Sequence, residues 1–284
     1  MVKTVVKLFL LLFCSTIWAS EQRIVALAPS INEILFALGK GDSIVGNTTY
    51  ATFPKASQTI TKVGGYFSVS LEKIVSLKPT LVLMQKNNLS LKPKLEKLGI
   101  KTELIKISSL DDIKNGIEKI ALLTNADIEA KAIVKDIEQA MQKTKGVLKD
   151  KKILIVFGRQ FDLKKEVFVS GNSIYFADII RESGNQNAFE ENTTKQPMLS
   201  YEGIIATNPD IIYILAHSVE GEQKETQRLI QPWLNLPITA SKAKTIYVTT
   251  KKYAGMPSHR VIHYIKDFRE ILEDAKSKLT LIQD

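Results

Sequence analysis

The same sequence pattern occurs twice in the chain, and this repeat constrains the fold more than any other feature. Residues 70–84 read SLEKIVSLKPTLVLM and residues 200–214 read SYEGIIATNPDIIYI, at a constant offset of 130. Both copies predict a serine-capped short helix with a glutamate in its first turn, a proline that ends the turn, and a buried strand. A second, weaker similarity relates RIVALAPS at 23–30 to KILIVFGR at 152–159. A register that occurs twice predicts two similar lobes in one chain.

Apolar runs of strand length alternate with helical patterns on both sides of a long helical segment. Such alternation predicts parallel sheets that are covered by helices on both faces. We therefore predict an α/β protein of two similar three-layer lobes with mainly parallel sheets, an N-terminal lobe at 21–124 and a C-terminal lobe at 151–284. The predicted strands are 23–28, 44–46, 81–85, 102–107, 152–157, 167–169, 211–215 and 245–248.

The segment between the two repeat copies predicts one long helix. From Asp127 to about Lys149 the sequence has no proline and one glycine, Gly146, and its apolar residues recur at helical spacing. We expect this helix, at 125–150, to connect the two lobes as a single stiff element. The alternative is a long peripheral helix of one domain.

The first residues have the order of a secretory signal. Two lysines precede an apolar run at 8–13, and small residues follow at positions 19 and 20. This run is shorter than the roughly 20 apolar residues that cross a bilayer. The single cysteine, Cys14, follows the bulky Phe13, which disfavours a lipid-attachment site. We predict a cleaved signal peptide at 1–20 and an exported, periplasmic protein; the alternative is an uncleaved N-terminal anchor.

Charge and motifs disfavour two classes of function. The formal net charge is +9, but no tight basic run is interleaved with aromatic residues, so a nucleic-acid partner is not expected. The chain has three histidines and no metal-ligand spacing, nucleophile elbow or phosphate-binding loop. We therefore predict a binding protein rather than an enzyme, with no resident cofactor and no metal site of its own.

Candidate ligand-binding residues follow from the predicted strand ends. In open parallel sheets, ligands contact the loops beyond the carboxyl ends of the strands, and two facing lobes would form one cleft from two such edges. These loops are rich in aromatic, donor and cationic side chains, which suit a large anionic or polar ligand with flat surfaces. The candidates are Tyr50, Tyr66, Gln85, Arg159, His217, Tyr253 and Arg260.

Each candidate also has a structural alternative. The tyrosines can belong to ordinary loop packing, His217 can cap a strand end, and Arg159 can pair with a structural carboxylate. His259 is as compatible with solvent as with the cleft. Ser30 and Glu33 have the spacing of a capping box for a helix at 31–38.

Glu72 and Glu202 occupy corresponding positions of the repeat. A carboxylate in the first turn of a helix is stabilised by the helix dipole, typically by a few tenths of a kcal/mol, and needs no further role. The duplication, however, puts two carboxylates at corresponding outer points of the lobes. A two-fold symmetric partner would be able to bind both through arginines.

The chain resembles the periplasmic substrate-binding proteins for cobalamin, haem and ferric siderophores over roughly residues 23–275. In that family two α/β lobes are joined by one long helix. The motifs that carry the resemblance are RIVALAPSINEILFALG, VGNTTYATFP, SLEKIVSLKPTLVL, VSGNSIYFADIIRESGNQNAF, SYEGIIATNPDIIYI and GMPSHRV.

The resemblance implies roles for several of these residues. Glu72 and Glu202 would dock onto arginines of a dimeric permease. Tyr50 and Tyr66 match aromatic cleft positions of the cobalamin branch, in which tryptophans stand at the positions of Gln85 and Gln196. The haem branch uses a tyrosine near Tyr66 as an axial ligand. The siderophore branch holds anionic chelates with arginine, histidine and tyrosine, roles that fit Arg159, His217, Tyr253 and Arg260.

The expected function is therefore transport. We expect a monomeric periplasmic receptor that captures a ferric siderophore or haem and delivers it to an inner-membrane ABC permease dimer, with cobalamin as the alternative ligand. A secreted enzyme that uses His217 with Tyr253, and a sensor or scaffold without a ligand, are the alternatives from other classes.

Overall fold

The computed structural model of the protein describes residues 22–190, 196–217 and 223–281. The predicted signal peptide at 1–20 lies outside these residues. Among the described helices, none is both long and apolar enough to cross a membrane.

The N-terminal lobe is built on a four-stranded parallel sheet in the order β2-β1-β3-β4. The sheet is parallel because a helix or helical turn after each strand returns the chain to the end of the sheet at which that strand began. Its strands are β1 (Ile24–Ala26), β2 (Ile44–Asn47), β3 (Leu81–Met84) and β4 (Lys101–Leu104). Its helices are α1 (Pro29–Ala37), α2 (Leu71–Ser76), α3 (Lys92–Lys97) and α4 (Leu110–Thr124).

The C-terminal lobe contains a six-stranded mixed sheet in the order β10-β9-β5-β6-β8, with β7 also paired to β5. Strands β10, β9, β5 and β7 run parallel, whereas β6 is antiparallel to both β5 and β8. The strands are β5 (Lys152–Phe157), β6 (Val167–Val169), β7 (Gln186–Asn187), β8 (Met198–Leu199), β9 (Ile211–Leu215) and β10 (Ile246–Thr249). The helices are α6 (Tyr175–Glu182), α7 (Tyr201–Thr207), α8 (Gln223–Leu234), α9 (Thr239–Ala243) and α10 (Val261–Thr280).

A single helix, α5 (Asp127–Thr144), lies between the two lobes in sequence and packs against both α4 and α10. Its 18 residues span about 27 Å. It is shorter than the predicted segment 125–150, because Lys145 is extended and Gly146 has a φ of +77°. Glycine adopts this left-handed conformation without the steric penalty that other residues pay.

Three clusters of buried apolar side chains form the core of the two-lobed α/β architecture that the sequence predicted. Alternate residues of β3, Val82 and Met84, pack with α2 and α3 in a core of the N-terminal lobe alone. Leu154 of β5 belongs to a separate core with α7, α8 and α9. The opposite faces of both sheets share one continuous core that includes α1, α4, α5, α6 and α10. The lobes are therefore joined by a common apolar core.

The repeated unit has the predicted local structure in both lobes. The Ser70 hydroxyl accepts a hydrogen bond from the Lys73 amide at 3.2 Å, and the Ser200 hydroxyl accepts one from the Gly203 amide at 3.1 Å. The isoleucines of the two helices, Ile74 and Ile204, are fully buried. These contacts confirm that α2 and α7 are equivalent capped helices, each leading into a central strand.

The predicted capping box of Ser30 and Glu33 is wrong. Helix α1 begins two residues earlier than predicted, at Pro29, and its N-cap Ala28 has no side-chain hydrogen bond. Proline at the first helical position has its φ already fixed near the helical value and no N–H to satisfy, so a side-chain cap is not required. Ser30 and Glu33 are buried and bind other groups.

Candidate functional site

A cavity of about 360 Å³ opens between the two lobes. It lies beyond the carboxyl ends of β1 and β3, where parallel sheets place their ligands. Its volume is within the range of sites for small molecules. The lining is mostly apolar and comes from both lobes: Pro29, Ser30, Tyr50, Tyr66, Phe67, Gln85 and Ile107 of the first, and Gly255, Met256 and Pro257 of the second.

The cavity brings together Tyr50, Tyr66 and Gln85 of the predicted binding residues. The Tyr66 hydroxyl donates to Gln85 Oε1 at 2.5 Å, and Gln85 Nε2 donates to the Ser30 hydroxyl at 2.9 Å. Burial raises the pKa of Tyr66 above its usual value, so the phenol is protonated at neutral pH. The polar side of the cavity is therefore a chain of uncharged hydrogen-bonding groups.

Two aromatic side chains stand at the mouth of the cavity. Tyr50 is 66% exposed and Phe67 is 81% exposed, and the Phe67 ring meets the Tyr66 ring edge-on at 4.7 Å. The turn that presents Tyr66 and Phe67 depends on Gly64, which has a φ of +132° and has no room for a Cβ beside the Ser68 carbonyl. Exposed aromatic rings of this kind offer flat apolar surface to a ligand.

The loop that carries Tyr50 is fastened by a buried polar network. Asn47 Nδ2 donates to Asn32 Oδ1 at 2.9 Å, and Asn32 Nδ2 donates to the Phe53 carbonyl at 3.0 Å. The Lys62 ammonium donates to Asn47 Oδ1 at 2.7 Å, and burial lowers the pKa of Lys62. This network holds the loop in place on the side of α1, so the cleft wall is ordered before any ligand arrives.

Arg260 is buried in an ion pair that joins the lobes. Its Nε donates to Glu33 Oε2 at 2.9 Å, its Nη2 contacts Glu33 Oε1, and the Ser258 hydroxyl donates to the same carboxylate at 2.7 Å. The guanidinium also lies over the Phe53 ring, 4.0 Å from its centroid. Glu33 belongs to α1 and Arg260 immediately precedes α10, so the pair bridges the lobes directly behind the cavity wall.

A second polar contact crosses between the lobes on the side of α4. The backbone amide of Leu110, at the start of α4, donates to Asp178 Oδ2 of α6 at 2.8 Å. A carboxylate at this position satisfies one of the free amides of the helix N-terminus and is stabilised by the helix dipole.

Arg159 lies after β5 and does not line the cavity. It pairs with Glu225 of α8, and its guanidinium is 5.5 Å from the centroid of the Phe161 ring, which Arg228 approaches to 5.1 Å. A structural carboxylate, the alternative to a ligand as the partner of Arg159, is therefore present. The role of Arg159 in ligand binding stays a prediction.

His217 and Tyr253 lie behind the cavity wall. The His217 ring packs so closely on the backbone of Gly255 that a side chain at that position would overlap it. His217 Nδ1 is 3.3 Å from the Lys251 carbonyl, and burial lowers the pKa of this histidine. The Tyr253 hydroxyl donates to Asp267 at 2.7 Å. Both side chains support the segment that lines the cavity and are not part of its lining.

Glu72 and Glu202 are both exposed on the first turns of α2 and α7. Within the described parts of the chain, neither carboxylate forms an ion pair. The same parts contain no group of three or more histidine, cysteine, aspartate or glutamate residues that could hold a metal ion.

Two α/β lobes that enclose one cavity at their strand ends define a two-lobed binding protein. The sequence profile of the family described as periplasmic binding protein matches residues 24–253. The match covers most of the chain, so the chain belongs to the periplasmic binding protein family.

Individual relatives agree with this assignment. The chain is 24% identical over 272 residues to a vitamin B12-binding protein of Vibrio parahaemolyticus, and the alignment covers 94% of this chain and 96% of the relative. It is 31% identical over 264 residues to the uncharacterized ABC transporter substrate-binding lipoprotein YvrC of Bacillus subtilis, and this alignment covers 90% of this chain and 81% of the relative.

Two solved structures have the same fold. The periplasmic vitamin B12-binding protein BtuF of Vibrio cholerae superimposes with a TM-score of 0.75 at 19% identity, covering 90% of this chain and 98% of the other. The periplasmic haem-binding protein RhuT of Roseiflexus sp. RS-1, in its apo form, superimposes with a TM-score of 0.70 at 22% identity, covering 90% and 99%. These similarities support the predicted architecture of two lobes with parallel-rich sheets.

The buried interlobe pair makes a prediction about stability. Replacing Glu33 with alanine leaves the Arg260 charge buried without its partner, and we expect the free energy of unfolding to fall by about 3–5 kcal/mol. Glu273→Ala on α10 removes an exposed partner of Arg269 and should cost less than about 1 kcal/mol. Urea titrations of both variants measure the difference. Equal losses would contradict the importance of the interlobe pair.

His259 makes the stability depend on pH. Burial, Arg260 and His263 lower its pKa to about 4, and its buried Nδ1 has no hydrogen-bond partner among the residues that the structure describes. Its pKa in the unfolded chain is near 6.5, so between about pH 6.5 and 4 the unfolded state binds a proton that the folded state does not. Stability therefore falls as the pH falls through this window.

The variant His259→Asn tests this contribution. We expect its stability to depend less steeply on pH than that of the wild type between pH 6.5 and 4, because one titrating group is gone. Urea unfolding at several pH values gives both curves, and comparing them cancels the carboxylates that titrate in the same window. Parallel curves would show that His259 is not the responsible group.

Proposed function

We propose that this protein is the periplasmic receptor of an ABC importer and that it captures a metal chelate, a ferric siderophore or haem, in the interlobe cavity. The observation that carries the proposal is the cavity itself, with exposed aromatic rings at its mouth and walls from both lobes. Flat apolar rings suit the planar macrocycle of haem and the aromatic rings of catecholate siderophores. Membership of the periplasmic binding protein family supports export and transport.

Cobalamin is the second candidate ligand. The relative from Vibrio parahaemolyticus and the structure from Vibrio cholerae are both named for vitamin B12, whereas the Roseiflexus protein is named for haem. The enzyme alternative has less support, because His217 and Tyr253 do not line the cavity.

The absorption spectrum of the protein tests this function. Haem, cobalamin and ferric catecholates have distinct visible bands, so we expect protein purified from its native host to carry one of these spectra. The variant Tyr66→Ala should lose the band, because it removes an aromatic ring that lines the cavity. Colourless protein that also fails to bind added hemin, cyanocobalamin and ferric enterobactin would contradict the proposal.

Delivery would use the two repeated glutamates. A permease dimer has two-fold symmetry, and Glu72 and Glu202 occupy equivalent, exposed positions on the two lobes. Neither carboxylate forms an ion pair with a described residue, so both are available to arginines of such a partner. The YvrC relative is named as an ABC transporter component, which supports this assignment.

The double variant Glu72→Ala with Glu202→Ala separates delivery from capture. We expect uptake of the chelate by whole cells to be abolished while the affinity of the purified protein is unchanged, since neither residue lines the cavity. The control is Glu118→Ala with Glu129→Ala, which removes two other exposed carboxylates from α4 and α5. Reduced affinity in the first pair, or equal loss of uptake in both, would rule out the docking role.

A further inference from the structure

The described lining of the interlobe cavity carries no formal charge. Its polar groups are the hydroxyls of Ser30, Tyr50 and Tyr66 and the amide of Gln85, and its other members are apolar. Tyr66, Gln85 and Ser30 are already bonded to one another. A ligand that enters this cavity therefore exchanges water for aromatic and aliphatic surface and a few neutral hydrogen-bonding groups.

The arginines that would suit an anionic ligand are each paired with a carboxylate. Arg260 is bound by Glu33 through two of its nitrogens, and only 10% of its side chain is exposed. Arg159 is paired with Glu225. A guanidinium that is paired in this way has little remaining attraction for a further anion, because its field is largely cancelled by the neighbouring carboxylate.

A carboxylate on the ligand would lose hydration in this cavity without gaining a cationic partner. Burying an ionised carboxylate without compensation is costly, and far more so than burying an amide or an ester. The N-terminus of α1, which carries Pro29 and Ser30, contributes about half a positive charge, and this offsets only part of the cost of burying a full negative charge. The net charge of +9 acts from a distance and is screened by salt.

We propose that the interlobe cavity selects metal chelates whose periphery is uncharged, bearing amide, ester, hydroxyl or alkyl groups, over chelates of similar shape whose periphery carries carboxylates. This inference rests on the proposed function and narrows its ligand class. Glu33 and Glu225 contribute to the selectivity by neutralising Arg260 and Arg159.

A matched pair of probes tests the inference. Hemin and hemin dimethyl ester share the macrocycle and the iron, and they differ in whether the peripheral acids are ionised. We expect the protein to bind the ester at least about tenfold more tightly than hemin in absorbance titrations at about 0.15 M salt. Equal affinities, or tighter binding of hemin, would overturn the inference. Binding of neither probe would overturn the proposed function for planar chelates and this inference with it.

A charge placed in the lining gives the reverse test. Ile107 is a half-buried lining residue, so Ile107→Lys adds a cation to the cavity, and we expect it to improve hemin affinity relative to the ester by about tenfold. Ile133→Lys changes a half-buried isoleucine on α5, outside the lining, and should keep the wild-type ratio. Circular dichroism confirms that both variants are folded. An unchanged ratio in folded Ile107→Lys would show that cavity charge does not govern selection.

Discussion

The buried pair of Glu33 and Arg260 is the interaction on which the arrangement of the two lobes depends. Both charges are removed from water, which costs several kcal/mol per ion before any attraction is counted. Two guanidinium contacts, the Ser258 hydroxyl and the face of Phe53 offset this cost. The geometry that satisfies all four groups exists at one relative position of α1 and the segment before α10, so the pair favours one arrangement of the lobes.

The same two chain segments form the ion pair and the walls of the cavity. Helix α1 contributes Pro29 and Ser30 to the lining and Glu33 to the pair, and the segment that contributes Gly255–Pro257 continues directly into Ser258 and Arg260. A change in the ion pair would therefore alter the width of the cleft. The shared apolar core and the packing of α5 between α4 and α10 act in the same direction. These contacts favour a preformed cleft over wide hinge closure.

Much of the fold could be predicted from the sequence, because the repeat and the apolar runs are local signals. Strands β5, β6 and β9 occupy the predicted residues, and Ser70 and Ser200 cap the predicted helices. The two-residue strands β7 and β8 were missed because they are too short to have a period. The partner of Arg260 was missed as well, since an ion pair between residues 227 apart leaves no local pattern and the spacing of Ser30 and Glu33 matched a capping box. A buried acid on an otherwise apolar helical face was the available signal.

The distance between the lobes in solution tests this account most directly. Cysteines introduced at Ser76 and Ala206, equivalent exposed positions of α2 and α7, would carry spin labels in a variant whose one native cysteine, Cys14, is replaced by serine. Double electron–electron resonance between the two labels should give one narrow distance distribution for the otherwise wild-type protein and a broader one after Glu33→Gln. A broad or bimodal distribution with Glu33 in place, or a distribution unchanged by Glu33→Gln, would contradict the claim that the buried pair sets the spacing of the lobes.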